Sequence, residues 1–225
     1  MKPLCVALDG PAGAGKSTVA KRVAKELGLT YVDTGAMYRA ITWKALQQGI
    51  DPGDAASLTA LANEVRIDFQ LTEQGQDVFL NGEDITEAIR SLEVTGNVSA
   101  VSAVAGVREA MVKIQQEIAS RTGVVMDGRD IGTVVLPNAD LKIWLTASVE
   151  ERASRRYQEL VGKGQAVDFE QLKLDIQRRD EYDSGREHSP MKMAEDAIPV
   201  DTTGLNIDQV IEKILHICRE TARKS

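Results

Sequence analysis

The chain has 225 residues, with 27 Lys and Arg against 34 Asp and Glu, two His and two Cys, for a formal net charge of −7. That length suits one large domain, or a domain with an insertion, able to bury a core without disulfide or metal staples. The acidity argues against a nucleic-acid coat or a polybasic membrane binder, and so few His and Cys argue against a multi-ligand zinc site. Net charge leaves a local basic site open, because seven of the fifteen arginines fall between positions 129 and 186.

Residues 1–9 are too short for a membrane span and carry no signal-peptide cleavage pattern, so a cytoplasmic protein is expected. Cys5 and Cys218 lie in apolar patterns and read as buried thiols in a reducing compartment. Residues 4–8 form an apolar run before a Gly-rich turn, which predicts a buried strand. Val19, Ala20, Val23, Ala24 and Leu27 follow at helical spacing, with Gly28 as the stop. A short strand at Tyr31 and Val32 precedes a helix capped by Asp33 or Thr34 and running to about Gln48. Strand, helix, strand, helix is the opening of a parallel α/β sheet.

The middle differs. Ile67, Phe69 and Leu71 alternate with polar residues, and residues 78–80 lead into Asn81-Gly82, a hairpin signal. Residues 61–97 are expected to form an inserted antiparallel piece within a single domain spanning 1–225. A helix is expected over 99–121, then buried strands at 124–126 and 141–145. Ser148 with Glu151 has the capping-box spacing for the next helix. After Gly162 and Gly164 come a charged helix, a short strand at 198–200 and a terminal helix capped by Asn206. His188 and His216 read as surface residues, and there are no repeats.

Gly10-Pro11-Ala12-Gly13-Ala14-Gly15-Lys16-Ser17 fits G-x-x-x-x-G-K-[ST], with Thr18 following. Glycines let successive N–H groups turn toward phosphate oxygens at a helix N-terminus, whose dipole adds positive potential. Lys16 would reach the β- and γ-phosphates and the Ser17 hydroxyl would ligate Mg²⁺. A switch GTPase would need N-K-x-D, which is lacking, and the D-x-x-G match at 201–204 falls after the last strand. Asp127-Gly128-Arg129-Asp130 directly follows a strand, which suits Asp127 for a water-mediated Mg²⁺ contact and Arg129 for converging phosphates.

These blocks, with Asp33-Thr34-Gly35-Ala36-Met37-Tyr38-Arg39, Ile131-Gly132-Thr133 and Arg178-Arg179-Asp180, resemble the bacterial cytidylate kinase family along essentially the whole chain. The resemblance implies ATP-dependent phosphorylation of CMP or dCMP by a phosphotransferase with a phosphate acceptor. It implies the P-loop nucleoside-monophosphate-kinase fold: an α/β architecture with a five-stranded parallel sheet flanked by helices, an antiparallel monophosphate-binding insert, and a helical lid, placed at about 152–168. It implies donor binding by residues 10–18, a grip on the acceptor phosphate by Arg39 and Arg129, and help from Thr34, where some members carry Ser. Ser99, Arg108, Asp130 and Arg186 would read cytosine, and Arg179 with Asp183 would hold the ribose. A monomer is the family expectation.

Residue geometry meets this reading only in part. Arg179, Asp183 and Arg186 share one helical face if the helix survives Ser184-Gly185. Asp130 suits the cytosine amino group. An unbroken helix puts Ser99 and Arg108 about 900° apart at roughly 100° per residue, on opposite faces, so a bend is required and Gly106 is its expected site. Arg152, Arg155 and Arg156 cluster on one helix side, where they read either as a solvated face with a Glu151–Arg155 pair or as lid arginines. Arg155 and Arg156 join Lys16 and Arg129 as catalytic candidates. No general base is needed, because a monophosphate with a second pKa near 6 is mostly ionised at neutral pH. The alternatives are a same-fold kinase for UMP or another small acceptor, and a P-loop ATPase or regulatory module. Arg129→Ala is expected to depress transfer with little loss of stability.

Overall fold

The computed structural model describes residues 4–72 and 75–224. Met1, Lys2 and Pro3 of the N-terminal segment, and the side chain of Leu71, lie outside what is described. In chain order the elements are β1 (Cys5–Asp9), α1 (Lys16–Leu27), β2 (Thr30–Asp33), α2 (Thr34–Gln47), α3 (Ala55–Glu64), β3 (Ile67–Thr72), β4 (Gly75–Leu80), β5 (Glu83–Asp84), α4 (Leu92–Ala103), α5 (Ala105–Arg121), β6 (Val124–Gly128), β7 (Leu141–Thr146), α6 (Val149–Gly162), α7 (Phe169–Ser184), β8 (Ile198–Asp201) and α8 (Ile207–Lys224). The chain divides into two compact units: one runs to Tyr31 and resumes at Thr122, and the other spans Val32–Arg121.

The first unit is built on the five-stranded sheet, in the order β2-β6-β1-β7-β8. Strand β1 lies between parallel partners β6 and β7 and is buried throughout, which is why it reads as an unbroken apolar run rather than an alternation. The register sets Asp9 beside Gly128 on one side and Trp144 on the other, so the carboxyl ends of three strands meet where ligands of open α/β sheets bind. Val19, Val23, Val125, Ile143, Val210 and Ile214 belong to one core joining α1, the sheet and α8.

Gly10 is irreplaceable in this frame. The chain leaves β1 at φ 149°, and a Cβ there would lie 1.9 Å from the Leu145 carbonyl oxygen. Gly10→Ala should destabilise the fold by about 3 kcal/mol or more, and thermal melting checks it.

The second unit carries α2–α5 and the separate antiparallel sheet β3-β4-β5. Ile67 pairs with Leu80 and Phe69 with Val78, as the alternation expected, while Asn81 adopts positive φ at the β4–β5 turn. Helix α3 packs on α5 and α2 on α4. Asp33 is the cap of α2, accepting from Ala36 N at 2.8 Å, and Thr34 is its first residue.

Three local expectations need correction. The helix read as 99–121 is two helices, starting at Leu92 and broken at Val104, which is extended at φ −67°, ψ 120°. The bend falls two residues before Gly106, whose missing side chain serves packing instead: a Cβ there would lie 2.3 Å from Thr59 of α3. The Ser148 box is half formed. Its hydroxyl accepts from Glu151 N at 3.2 Å, but Ser148 N donates to Thr203 Oγ1 and the Glu151 carboxylate turns to Arg155. The reciprocal box forms at α8, where Asn206 and Gln209 each accept the other's backbone N–H at 3.0 and 2.9 Å.

Neither cysteine is in a disulfide, and both are buried. Burial pushes the Cys218 thiol up to about 11. Neither thiol should be alkylated by iodoacetamide at pH 8 until the protein unfolds, and rapid labelling of the native protein would contradict this. His188 and His216 are exposed.

Candidate active site

Helix α1 begins without a side-chain cap: Gly15, at the cap position, is left-handed at φ 86°. The cap residue therefore offers the helix's first N–H groups no side-chain acceptor, the arrangement that suits phosphate oxygens. Gly13 at φ 74° turns the loop ahead of it. Lys16 is buried and folds back over the loop, donating from Nζ to Pro11 O at 2.7 Å. Burial and the nearby Arg129 guanidinium hold its pKa well below the ordinary lysine value, with Arg179 adding to the fall, while Asp127 and Asp9 act in the opposite direction. Arg129 and Arg179 thus stand near enough to Lys16 to disfavour its charge.

Across the sheet, Asp127 at the end of β6 accepts from Ser17 Oγ and Tyr31 Oη, both at 2.8 Å. A hydroxyl and a carboxylate side by side are hard oxygen donors of the kind Mg²⁺ prefers. No cluster of three or more metal-ligating side chains exists among the described residues. Mg²⁺ is commonly held by one or two protein groups, water and substrate phosphates rather than by a protein cage. Tyr31 was expected only as a strand residue. Its hydroxyl orients Asp127, and nothing in the local pattern announces it.

Asp9 was not singled out either. It is buried beneath the loop and accepts from Ile131 N at 2.8 Å and Gly132 N at 2.7 Å, which pins the turn after Asp130 to β1. Burial pushes its carboxyl up to about 6, against the backbone N–H groups that favour the ionised form. Because the folded value is above the ordinary one, the folded protein takes up this proton first as pH falls. Stability from this group is therefore greatest below about pH 4 and is lost as pH rises to about 6, by up to about 3 kcal/mol. Carboxyl ¹³C NMR should give an Asp9 midpoint near 6, and a midpoint near 4 would contradict the geometry.

Arg129 and Arg186 meet on one buried carboxylate. Arg129 Nε donates to Asp183 Oδ2 at 3.0 Å, and Arg186 Nη2 pairs with Asp183 Oδ1. Helix α7 ends at Ser184, so Arg186 is not on the helical face expected for it and is brought in by the turn beyond Gly185. Arg179 and Asp183 do share α7. Asp130 is buried, and its charge contributes to the rise at Asp9.

The lid arginines separate. Arg155 bonds Glu151 and reaches Thr202, from Nη1 to Oγ1 at 3.0 Å and from Nη2 to the carbonyl at 2.8 Å. Its Nη1 also stands 4.0 Å from where a Cβ on Gly15 would be. Arg156 pairs with Glu159 at 2.7 Å. Arg152, to which the sequence pattern assigned no role of its own, is buried against the phosphate loop and bonds Ala12 O at 2.8 Å.

In the second unit, Arg39 pairs with Asp33 at 3.0 Å, and Thr34 is buried. Ser99 is half-buried within α4. Arg108 is buried, donates to Ser102 O at 3.0 Å near the end of α4 and lies over the Tyr38 ring at 5.2 Å. That is a structural anchorage no sequence pattern announced, and it fastens α5 to the bend at Val104.

The family model for cytidylate kinase matches residues 6–220. The chain is 58% identical over 224 residues to a cytidylate kinase of Bacillus licheniformis, covering 99% of each chain. It is 56% identical over 215 residues to one of Streptococcus pneumoniae, covering 95% of this chain and 96% of the other. Among solved structures, a gluconokinase from Sinorhizobium meliloti shares the fold at a TM-score of 0.51 and 15% identity, over 99% of this chain and 95% of that one. With the phosphate loop at the centre of a parallel sheet and a family match over nearly its full length, this chain belongs to the cytidylate kinase family.

Proposed function

We propose that the chain transfers the γ-phosphoryl group of ATP to CMP or dCMP, giving ADP and the corresponding diphosphate. The observation that carries this is Lys16 folded back over the phosphate loop, with Arg129 and Arg179 near enough to act on its charge. A nucleotide sensor needs the loop but not the second and third cation. In this reading residues 10–18 hold the donor. Arg39 and Arg129 take the acceptor phosphate, helped by Thr34, five residues before Arg39. Ser99, Arg108, Asp130 and Arg186 read cytosine, and Arg179 and Asp183 take the ribose. Arg155 and Arg156 meet the transferring group.

Ser17 and, through water, Asp127 would hold Mg²⁺, which when bound would neutralise charge on the donor's phosphates. The protein's own work is alignment and electrostatics. Lys16 and the arginines stabilise charge on the transferred group, and the acceptor oxygen attacks already ionised, so no side chain has to remove a proton. Water has to be excluded during transfer, or ATP would be hydrolysed. The chain is proposed to act as a monomer in the cytoplasm, in keeping with two buried cysteines outside any disulfide. No helix among the described residues is long and apolar enough to cross a membrane.

A panel of acceptors in one coupled ADP assay tests the reading. ADP release should require CMP or dCMP. Equal rates with AMP and CMP would sink the cytosine assignment, UMP as the best acceptor would favour the same-fold alternative, and acceptor-independent turnover would favour an ATPase.

A further inference from the structure

The phosphate loop is gripped from behind by an ion pair that the proposed reaction does not use. Asp180 of α7 accepts the Ala12 N–H through Oδ1 at 3.1 Å. Its other oxygen accepts from Arg152 Nη1 at 2.5 Å, and the same Nη1 donates to Ala12 O at 2.8 Å. Arg152 Nε is spent on Ala147 O at 3.1 Å, which roots the side chain before α6. One pair thus holds both the N–H and the C=O of a single loop residue.

The contact continues at Gly13, where an added Cβ would lie 3.2 Å from Arg152 Cβ and from its carbonyl oxygen. The two side chains are only 5% and 16% exposed. A pair this desolvated adds little net stability over an apolar substitute, so its geometry is the more informative feature. It ties the loop directly to α6 and α7, the two helices that bring Arg155, Arg179 and Asp183.

We propose that Arg152 and Asp180 are positioning residues that set the shape of the phosphate loop and couple it to α6 and α7. They act through the Ala12 backbone, and the pair as a unit controls affinity for the donor triphosphate. This rests on the loop being the ATP site.

Asp180→Asn keeps the volume and leaves an oxygen for Ala12 N–H, but gives up the charge facing Arg152. Arg152→Lys keeps the charge, yet one ammonium on a flexible stem cannot reproduce the fork that spans Ala147, Ala12 and Asp180. ATP binding is measured by calorimetry without acceptor, beside steady-state KM and kcat and thermal melting.

Each single variant should weaken ATP binding about 10-fold and raise the ATP KM by a similar factor, with the CMP KM within about 2-fold of wild type. The double variant should be no worse than the more damaged single one, because the two side chains act as one unit. Wild-type ATP binding in either folded variant overturns the inference. So do equal weakening of ATP and CMP, as a merely structural defect would give, and additive losses in the double variant. If Asp180→Asn does not fold, Arg152→Lys decides on the same readouts. CMP-dependent turnover of the wild type tests the functional reading separately, and its failure leaves the ATP-binding comparison standing.

Discussion

Lys16→Met is expected to lower kcat about 10²- to 10³-fold without lowering the melting temperature. Lys16 is buried with its ammonium bonded to Pro11 O, and burial together with Arg129 disfavours its charge. An unliganded ammonium held this way is a cost to the folded state, recovered when phosphate oxygens arrive. Methionine has nearly the same volume and carries no charge, so the fold loses one hydrogen bond and sheds the desolvation of a cation. Activity and stability should therefore part company, as they do where a site is kept strained for function. A coupled ADP assay beside nucleotide-free thermal melts checks both halves. A variant within a few-fold of wild-type kcat would remove Lys16 from the mechanism.

Arg129→Ala should cost about 10²-fold or more in kcat/KM and, in contrast to the expectation from sequence, should also destabilise the protein. The reason lies in Asp183, whose side chain is 2% exposed and whose carboxylate is shared between Arg129 and Arg186. Removing Arg129 leaves a buried carboxylate with one cation instead of two. The cost is about 1–3 kcal/mol, below that of a wholly orphaned charge because Arg186 remains. Arg129→Lys should recover part of the stability and little of the rate, since a lysine cannot bond Asp183, reach Gly128 O and still offer a planar fork to a phosphate. Chemical denaturation with steady-state kinetics on both variants separates the roles. Unchanged stability in Arg129→Ala would mean that Asp183 does not depend on both of its cations.

Residues whose role is set by their neighbours in the chain are legible in the sequence. The phosphate loop is of this kind: glycine conformations, the strand leading into it and the helix following it all lie within about one turn of sequence. So are Asp33 and Asn206 at helix starts, the Ile67–Phe69 alternation and the strand that carries Asp127 near its end. Each depends on periodicity or on a cap three residues away. The carboxylate at Asp127 is legible because a parallel sheet brings the ends of β1 and β6 together whatever the intervening chain does.

Other features are decided by contacts distant in sequence, which no local pattern encodes. Gly106 was expected to break a helix. The break is at Val104, and a Cβ on Gly106 would lie 2.3 Å from the Thr59 side chain of α3. Arg186 was placed by helical spacing on a helix that stops at Ser184, and reaches Asp183 from the turn beyond it. Arg152 read as one of three arginines on a solvated face or in a lid, yet it is the buried member, because α7 brings Asp180 to it and the loop offers Ala12 O. The −7 of the whole chain behaves the same way. Composition speaks against a polyanion coat, since that depends on total charge. The concentration of cations around Lys16 is a property of folding, because it takes strands β1 and β6 and helix α7 to carry Lys16, Arg129 and Arg179 to one place.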